Sequence, residues 1–375
     1  MKILFTCGGT AGHVNPAVAV AGCLRERMPD TEVLFIGAKD KMEMELVPRE
    51  GYEIEGITVS NLQRSGGMAM VKHNIQTVKN LFTATNEAKH ILKNFKPDVV
   101  LGTGGYVCYP VVRAAASMGI PTAIHESNAV PGLTTKLLSK SVDKIMVGFE
   151  ESRSGYSHPE RVIVTGTPVR GDFLCHSKTQ AKLELGLPVN KPLVVSVWGS
   201  LGASHMNEIM AEVIERAVNK PFFSLIHSAG KRGYADMMAK LEKDGCTRAE
   251  ELGFQVRDYI YDMSRVMAAA DLVLCRAGAS TLSELTLLGK PAILVPSPNV
   301  THNHQEHNAR VLETAGGAKV LLEGEFTQDS LLGEISDLLS DPAHLLSMSE
   351  KMKMLGVPDA VDQIADVVTA LANGK

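Results

Sequence analysis

The chain has 375 residues, 45% of them hydrophobic and 21% charged, and a formal net charge of −4. Such a length calls for two domains or three, and the apolar content excludes a wholly disordered chain. The small, mixed charge argues against a dedicated nucleic-acid binder, and no stretch approaches the roughly 20 apolar residues of a membrane span.

The N-terminus, MKILFTCGGTAGH, runs a short apolar segment straight into glycines. A signal peptide needs a longer apolar region and a cleavage site, so a first strand over Lys2–Thr6 is expected. Cys7, Cys23, Cys108, Cys175, Cys246 and Cys275 are scattered, without C-x-x-C and mostly among apolar neighbours. They read as buried thiols of a reducing compartment. A cytoplasmic protein that can still touch a membrane surface is expected.

The first loop is Gly8-Gly9-Thr10-Ala11-Gly12-His13. Glycine lets the backbone turn sharply and approach an anionic or sugar ligand, with amides exposed at the next helix start. The glycines are not in G-x-G-x-x-G register, and no acidic residue closes the second strand, Glu32–Ile36, so a dinucleotide site is disfavoured. A plain strand–helix turn is the alternative. His13 can take a hydroxyl proton at neutral pH, or merely cap or fill.

From Met68 to Lys96, Val71, Ile75, Val78 and Phe82 recur at helical spacing, with Lys72, Lys79, Lys89, Lys93 and Lys96 around them. Such a stripe either faces a core or docks on anionic lipid. The strand Val99–Leu101 then enters a second loop, Gly102-Thr103-Gly104-Gly105-Tyr106, and Thr122–Ile124 enters His125-Glu126-Ser127-Asn128. Glu126 can orient a histidine, bind sugar hydroxyls, act as a base or cap the following helix. Lys144–Val147 and Val162–Thr165 end this series, and the chain breaks near Gly166–Arg170.

A second series follows: Leu193–Val197, Phe223–His227, Leu272–Cys275, Ala292–Val295 and Ala318–Leu321. Its opening, VVSVWGSLGASHMN, repeats the design of ILFTCGGTAGHVNP. Buried runs separated by helices predict two doubly wound α/β domains with parallel sheets, 1–169 and 170–356. Ligands bind beyond the carboxyl ends of such strands, so glycine loops from both domains are expected to line a cleft. The tail 357–375 holds an amphipathic helix over Asp359–Ala372, with Val361, Ile364, Val367 and Val368, able to pack on either domain.

The strongest local signal is Cys275-Arg276-Ala277-Gly278-Ala279-Ser280-Thr281-Leu282-Ser283-Glu284, a strand end, a small-residue turn and a helix start near Ser280. Exposed amides and roughly half a unit of positive charge suit a diphosphate. Glu284, one turn on, can take two ribose hydroxyls or close a capping box with Ser280 or Thr281. His302-Asn303-His304-Gln305-Glu306-His307 reads as zinc ligands or as polar sugar recognition at a helix start. No G-x-x-x-x-G-K-[ST] occurs, which excludes ATP hydrolysis through a P-loop.

In order and spacing, GGTAGHVNPAVAVA, GTGGYVCYPVV, HESNAVPGLTTKLLS, TGTPVR, WGSLGAS, CRAGASTLSELTLLGKPAILVP and HQEHNA resemble the MurG family of glycosyltransferase family 28. These are bacterial membrane-associated enzymes that convert lipid I to lipid II in peptidoglycan synthesis, and the similarity covers nearly the whole chain. It implies a GT-B fold of two Rossmann-like domains, the first binding acceptor and membrane, the second UDP-N-acetylglucosamine. Ser200 together with Ala279, Ser280, Thr281, Leu282, Ser283 and Glu284 is implied at the diphosphate and ribose. Arg170 and the backbone around Ile260 are implied at the uracil. Gln305 is implied at the donor sugar, joined by Asn128, Thr10, Ala11 and Gly12. His13, Tyr106 and Glu126 match positions of acceptor binding and catalysis.

An undecaprenyl acceptor implies peripheral attachment to the cytoplasmic side of the cell membrane, which favours the lipid reading of Val71, Ile75, Val78 and Phe82. Cell-wall synthesis proteins are the implied protein partners. No metal or other cofactor is expected, because the helix end at Ser280 and Arg170 offset leaving-group charge. Ala11 stands where the family reads glycine, Leu201 where it reads glutamine, and Cys108-Tyr109 where it has small residues, a change expected to reshape the acceptor side. A diacylglycerol glycosyltransferase, a UDP-N-acetylglucosamine 2-epimerase and a non-catalytic nucleotide-sugar sensor are the competing readings.

Overall fold

The computed structural model describes residues 1–59, 67–169, 171–199, 203–300 and 303–374, with the backbone alone for 67–79. The chain divides into two compact units, Met1–Arg170 with Val357–Lys375, and Gly171–Gly356.

The first unit is built on seven strands: β1 (Lys2–Cys7), β2 (Glu32–Ala38), β3 (Glu53–Ile57), β4 (Val99–Gly104), β5 (Thr122–Glu126), β6 (Lys144–Val147) and β7 (Val162–Val164). All pair in parallel, in the order β3-β2-β1-β4-β5-β6-β7. Strand side chains alternate between two helical layers, as a period of two requires. Ile3, Phe5, Val99 and Leu101 pack with Val14, Ala17, Val20 and Leu24 of the helix Ala11–Arg27. Leu4 and Val100 face the other way, against Ala84, Ala88, Ile91 and Leu92 of the helix Gly67–Phe95 and Val111 and Val112 of the helix Cys108–Ser117. Phe5 stacks on Phe35 with centroids 5.1 Å apart, and truncating either to alanine should cost about 3–5 kcal/mol.

The tail helix, Ala360–Ala372, belongs to this unit and buries Ile364, Ala365, Val368 and Leu371 beside the helix Ala11–Arg27. Arg27 reaches Asp362 and Asp366 at 2.6 Å each. These pairs are largely exposed and contribute little; the apolar stripe holds the helix in place.

The second unit has six parallel strands: β8 (Leu193–Val197), β9 (Ser224–Ser228), β10 (Phe254–Arg257), β11 (Leu272–Cys275), β12 (Ala292–Leu294) and β13 (Ala318–Val320). Their order, β10-β9-β8-β11-β12-β13, repeats that of the first six strands of the other sheet. Met206, Met210, Val213 and Ile214 of the helix Ser204–Ala217 and Leu331 and Ile335 of the helix Gln328–Ser340 lie in its core.

The two strands absent from the sequence reading, β3 and β10, are both sheet edges. Their patterns (EIEGI and FQVR) are half-exposed and polar, whereas inner parallel strands are continuous apolar runs. Among the cysteines, Cys7, Cys108, Cys246 and Cys275 are buried as expected, but Cys175 is exposed and Cys23 partly so. Among the described residues, no helix is long and apolar enough to cross a membrane.

Candidate functional site

In each sheet the strand order reverses once, between β1 and β4 and between β8 and β11. A crevice opens at such a point beyond the carboxyl ends of the strands. Among the described residues, the segments Gly8–His13, Gly102–Tyr106 and Arg276–Glu284 stand at the carboxyl ends of β1, β4 and β11, strands that flank these two places.

In the first unit, the loops after β1 and β4 interlock. The Gly8 N–H donates to the Gly104 carbonyl at 3.2 Å. Gly105 has φ +90, and a Cβ there would lie 2.2 Å from the Gly8 oxygen. Only glycine permits that approach.

Gly104, with φ +122, leaves room for the His13 ring, whose Cδ2 would sit 2.4 Å from any added Cβ. His13 is the third residue of the helix Ala11–Arg27, and its Nδ1 lies 2.8 Å from the Gly8 carbonyl oxygen. A carbonyl only accepts, so Nδ1 carries a proton and the neutral ring has its lone pair on Nε2. The Thr10 hydroxyl is 3.3 Å from the same nitrogen, and Thr103 Oγ1 donates to the His13 carbonyl at 2.7 Å.

Thr10 is the N-cap residue of this helix without a side-chain cap bond, so Ala11 and Gly12 begin the helix beside the loop. Tyr106 follows the second loop; burial, and then the nearby Glu43 carboxylate, push its phenol up. The structure thus groups Thr10, Ala11, Gly12, His13 and Tyr106.

Glu126 ends β5 and is nearly buried, at 6% exposure. One oxygen accepts from the Asn128 N–H at 3.1 Å and from Asn128 Nδ2 at 2.9 Å. The other accepts from the Gly132 N–H at 2.9 Å and Thr135 Oγ1 at 2.6 Å. Four donors organise this carboxylate around the 127–132 loop and orient Asn128. The adjacent His125 is buried, its ring pushed down by burial, and its Nε2 donates to the Gly166 carbonyl at 2.9 Å.

Cys108 does not face outward. Its thiol, pushed up to about 12 by burial, donates to the carbonyls of Thr6 (3.0 Å) and Gly104 (2.9 Å), tying the two loop bases together from below.

In the second unit, Ser200, like Arg170 and Leu201, lies outside the described residues. The helix Ala279–Leu288 begins at Ala279, with Gly278 as an N-cap residue that supplies no side chain. Its first helical bond runs from the Leu282 N–H to the Gly278 carbonyl at 3.0 Å. The amides of Ala279, Ser280 and Thr281 therefore head the helix without a side-chain cap, an anion-binding arrangement. Ser283 turns back to the Ala279 carbonyl at 3.0 Å. Glu284 is the sixth helical residue, three beyond the position a capping box requires, so that alternative falls.

Two residues not singled out brace this turn. Asn308 is fully buried and donates to the Ala277 carbonyl at 3.2 Å. Arg276 pairs with Glu323 at 2.5 Å, donates to the Val295 carbonyl at 3.1 Å and lies over the Trp198 ring. Both stand inside motifs already quoted, CRAGASTLSELTLLGKPAILVP and HQEHNA, but their bracing role does not show there, because their partners lie far away in sequence.

Ile260 is buried between the exposed Tyr259 and Tyr261, in the irregular stretch after β10. Gln305, second in the helix His304–Ala315, has its side-chain oxygen fixed by the Ser297 N–H at 2.8 Å. Ile260, Ala279–Glu284 and Gln305 thus follow β10, β11 and β12, beyond the carboxyl ends of these parallel strands.

In the histidine-rich segment, His302 lies outside the described residues, and Glu306 is engaged by Asn303 and Arg310. Among the described residues, no three His, Cys, Asp or Glu side chains gather as a metal site.

The model for the N-terminal domain of glycosyltransferase family 28 matches residues 3–147, and that for its C-terminal domain matches residues 193–364. A curated relative from Acetivibrio thermocellus is 44% identical over 375 residues, covering 100% of this chain and 99% of its own length. One from Caldanaerobacter subterraneus is 43% identical, covering 99% and 100%. Both are named UDP-N-acetylglucosamine–N-acetylmuramyl-(pentapeptide) pyrophosphoryl-undecaprenol N-acetylglucosamine transferase. The crystal structure of Acinetobacter baumannii MurG superposes with a TM-score of 0.76 at 27% identity, over 98% of this chain and 99% of that one. Matched in both halves, the chain belongs to glycosyltransferase family 28 and is a glycosyltransferase.

Proposed function

We propose that the chain transfers N-acetylglucosamine from UDP-N-acetylglucosamine to the 4-hydroxyl of the muramoyl sugar of undecaprenyl-diphospho-N-acetylmuramoyl-pentapeptide, converting lipid I to lipid II. The observation that carries this reading is full-length similarity, at 44% identity, to a relative named for that reaction.

Transfer proceeds by a single in-line displacement with inversion. The acceptor oxygen bonds to the anomeric carbon as the bond to UDP breaks, and the hydroxyl proton passes to His13 Nε2. The hydrogen bond from Nδ1 to Gly8 supports this role by selecting, in the neutral ring, the tautomer with its lone pair on Nε2. Such a base contributes about 10²–10⁴-fold.

Negative charge grows on the departing diphosphate. It is met by the uncapped amides at Ala279–Thr281, with Ser200 and Arg170 assigned alongside by resemblance. Glu284 takes the ribose hydroxyls, the backbone at Ile260 the uracil, and Gln305 the sugar. Glu126, saturated by four donors, serves as the holder of Asn128. Tyr106 lies on the acceptor side.

The lipid-linked acceptor puts the protein on the cytoplasmic face of the cell membrane as a peripheral protein. Val71, Ile75 and Val78 have side chains outside the described set. Phe82, however, is 71% exposed on a helix whose opposite side carries the buried Ala84, Ala88 and Leu92. Leu133 and Leu137 are exposed on the helix Leu133–Leu138, which packs, like the helix Gly67–Phe95, on the helix Cys108–Ser117. Three exposed apolar side chains on one layer favour contact with an acyl boundary.

Incubation with UDP-N-acetylglucosamine and a soluble lipid I analogue, read by NMR, tests the reaction. A β-1,4-linked product is expected. Transfer to diacylglycerol instead, exchange of the C2 proton without transfer, or binding without product would each replace this reading with one of its competitors.

A further inference from the structure

The helix Glu43–Arg49 begins with a carboxylate that the sequence reading passed over. Glu43 is fully buried, and among the described residues no cation pairs with it. Burying an ionised carboxylate is costly unless specific donors receive it. Two backbone donors do so: the Ala38 N–H at 3.0 Å on one oxygen and the Gly9 N–H at 3.1 Å on the other. Glycines make the room. A Cβ at Gly8 would stand 2.3 Å from the Glu43 Oε1, and one at Gly37 would stand 2.6 Å from its Cγ.

The Gly9 N–H and the Gly8 C=O are the two ends of a single peptide unit. Glu43 receives its N–H, while His13 Nδ1 donates to its oxygen at 2.8 Å. We infer that Glu43 is a positioning residue for His13, acting through the Gly8–Gly9 peptide as a carboxylate–amide–imidazole relay. This rests on the reading of His13 as the base.

An anion on the N–H of an amide concentrates negative charge on its oxygen, and hydrogen bonds in such a chain strengthen one another. The Gly8 carbonyl becomes a stronger acceptor, holding the proton on Nδ1 and turning Nε2 toward the acceptor alcohol. When Nε2 takes the hydroxyl proton, Nδ1 keeps its own and no proton passes to or from Glu43. One proton moves, and the imidazolium is stabilised by a carboxylate one peptide away. The logic is that of the serine-protease triad with an amide interposed.

Two measurements on the full chain test the relay. In the unmodified protein, ¹⁵N NMR of the His13 ring, assigned by difference against His13→Ala, should report the Nδ1–H tautomer as the major neutral form. A major Nε2–H form overturns the inference without any variant, even if Glu43 variants fail to fold.

In Glu43→Gln, one accepting oxygen becomes an NH₂ group facing an N–H. The tautomers should then mix, and kcat should fall roughly 10–100-fold, the range typical of groups that orient a functional histidine. The KM for UDP-N-acetylglucosamine should change little. Normal kcat, or a lower kcat with an unaltered tautomer signal, reduces Glu43 to a loop brace and sinks the relay. Adding Glu43→Gln to His13→Ala should cost nothing further. If His13→Ala itself keeps full turnover, the base assignment fails. If only the Glu43 results fail, that assignment stands.

Discussion

The two switch points share one strand order and differ in how they are furnished. Between β1 and β4 the loops carry side chains able to move a proton: His13, held by the Gly8 carbonyl, with Tyr106 beside it and Glu43 below. Between β8 and β11 the corresponding turn is stripped to Ala277, Gly278 and Ala279, and the backbone amides at a helix start do the binding. One topology used twice thus places loops at two switch points, and on the proposed reading those loops suit one to an alcohol to be deprotonated and the other to a diphosphate. The difference teaches that fold alone would not separate donor side from acceptor side. On the proposed reading, the chemistry of a few loop residues in each half does.

The sharpest way to break this division is to remove the proton acceptor. His13→Ala should lower turnover by about 10²–10⁴-fold while leaving UDP binding, followed by calorimetry, nearly unchanged. Loss of UDP affinity of the same size would show that the two halves do not divide the work.

The converse change, Glu284→Ala, should raise the Kd for UDP by roughly 10–100-fold, the equivalent of about 1.5–3 kcal/mol for hydrogen bonds to a charged group. Turnover at saturating donor should fall far less. An unaltered Kd would remove Glu284 from the ribose.

A third test compares the cores. Burial holds His227 of β9 down to about 3, against an ordinary 6.5, between Ser196 Oγ and Asn207 Oδ1. The folded protein keeps this ring neutral, whereas the unfolded chain protonates it below pH 6.5. Stability is therefore complete above that pH and declines as pH falls toward 3, with about 2 kcal/mol lost by pH 5 from this group. Urea unfolding of wild type against His227→Leu checks it; the variant should lack that part of the slope. Equal slopes would contradict a neutral buried ring.

The smallest effect concerns the membrane. Phe82→Glu should weaken co-sedimentation with anionic vesicles by roughly three- to tenfold, since only part of one aromatic side chain is withdrawn from the interface. Turnover of a soluble acceptor should be unaffected. Unchanged vesicle binding would take Phe82 out of the docking surface.

The inner strands were legible because a parallel strand buried on both faces must be apolar throughout. The glycine loops were legible because close backbone approach and positive φ are local demands that glycine meets alone. For that reason the turns at Gly8–His13 and Gly104–Tyr106 could be read without coordinates, whereas Ala279–Glu284 was legible as a small-residue turn running into a helix start. The edge strands β3 and β10 were not, since their half-exposed, polar patterns lack the continuous apolar run of an inner strand.

Tertiary structure decided what local pattern leaves open. An amphipathic tail announces an apolar face but not its cover, and only packing joins Ile364 and Val368 to the first unit. A carboxylate announces charge but not its partners. Glu126 and Glu43 have the same side chain, yet one gathers the 127–132 turn and the other reaches 34 positions back to the Gly9 amide. Hydrogen-bond partners of buried charges are fixed by which loops the sheet brings together, a long-range property that no window of sequence contains.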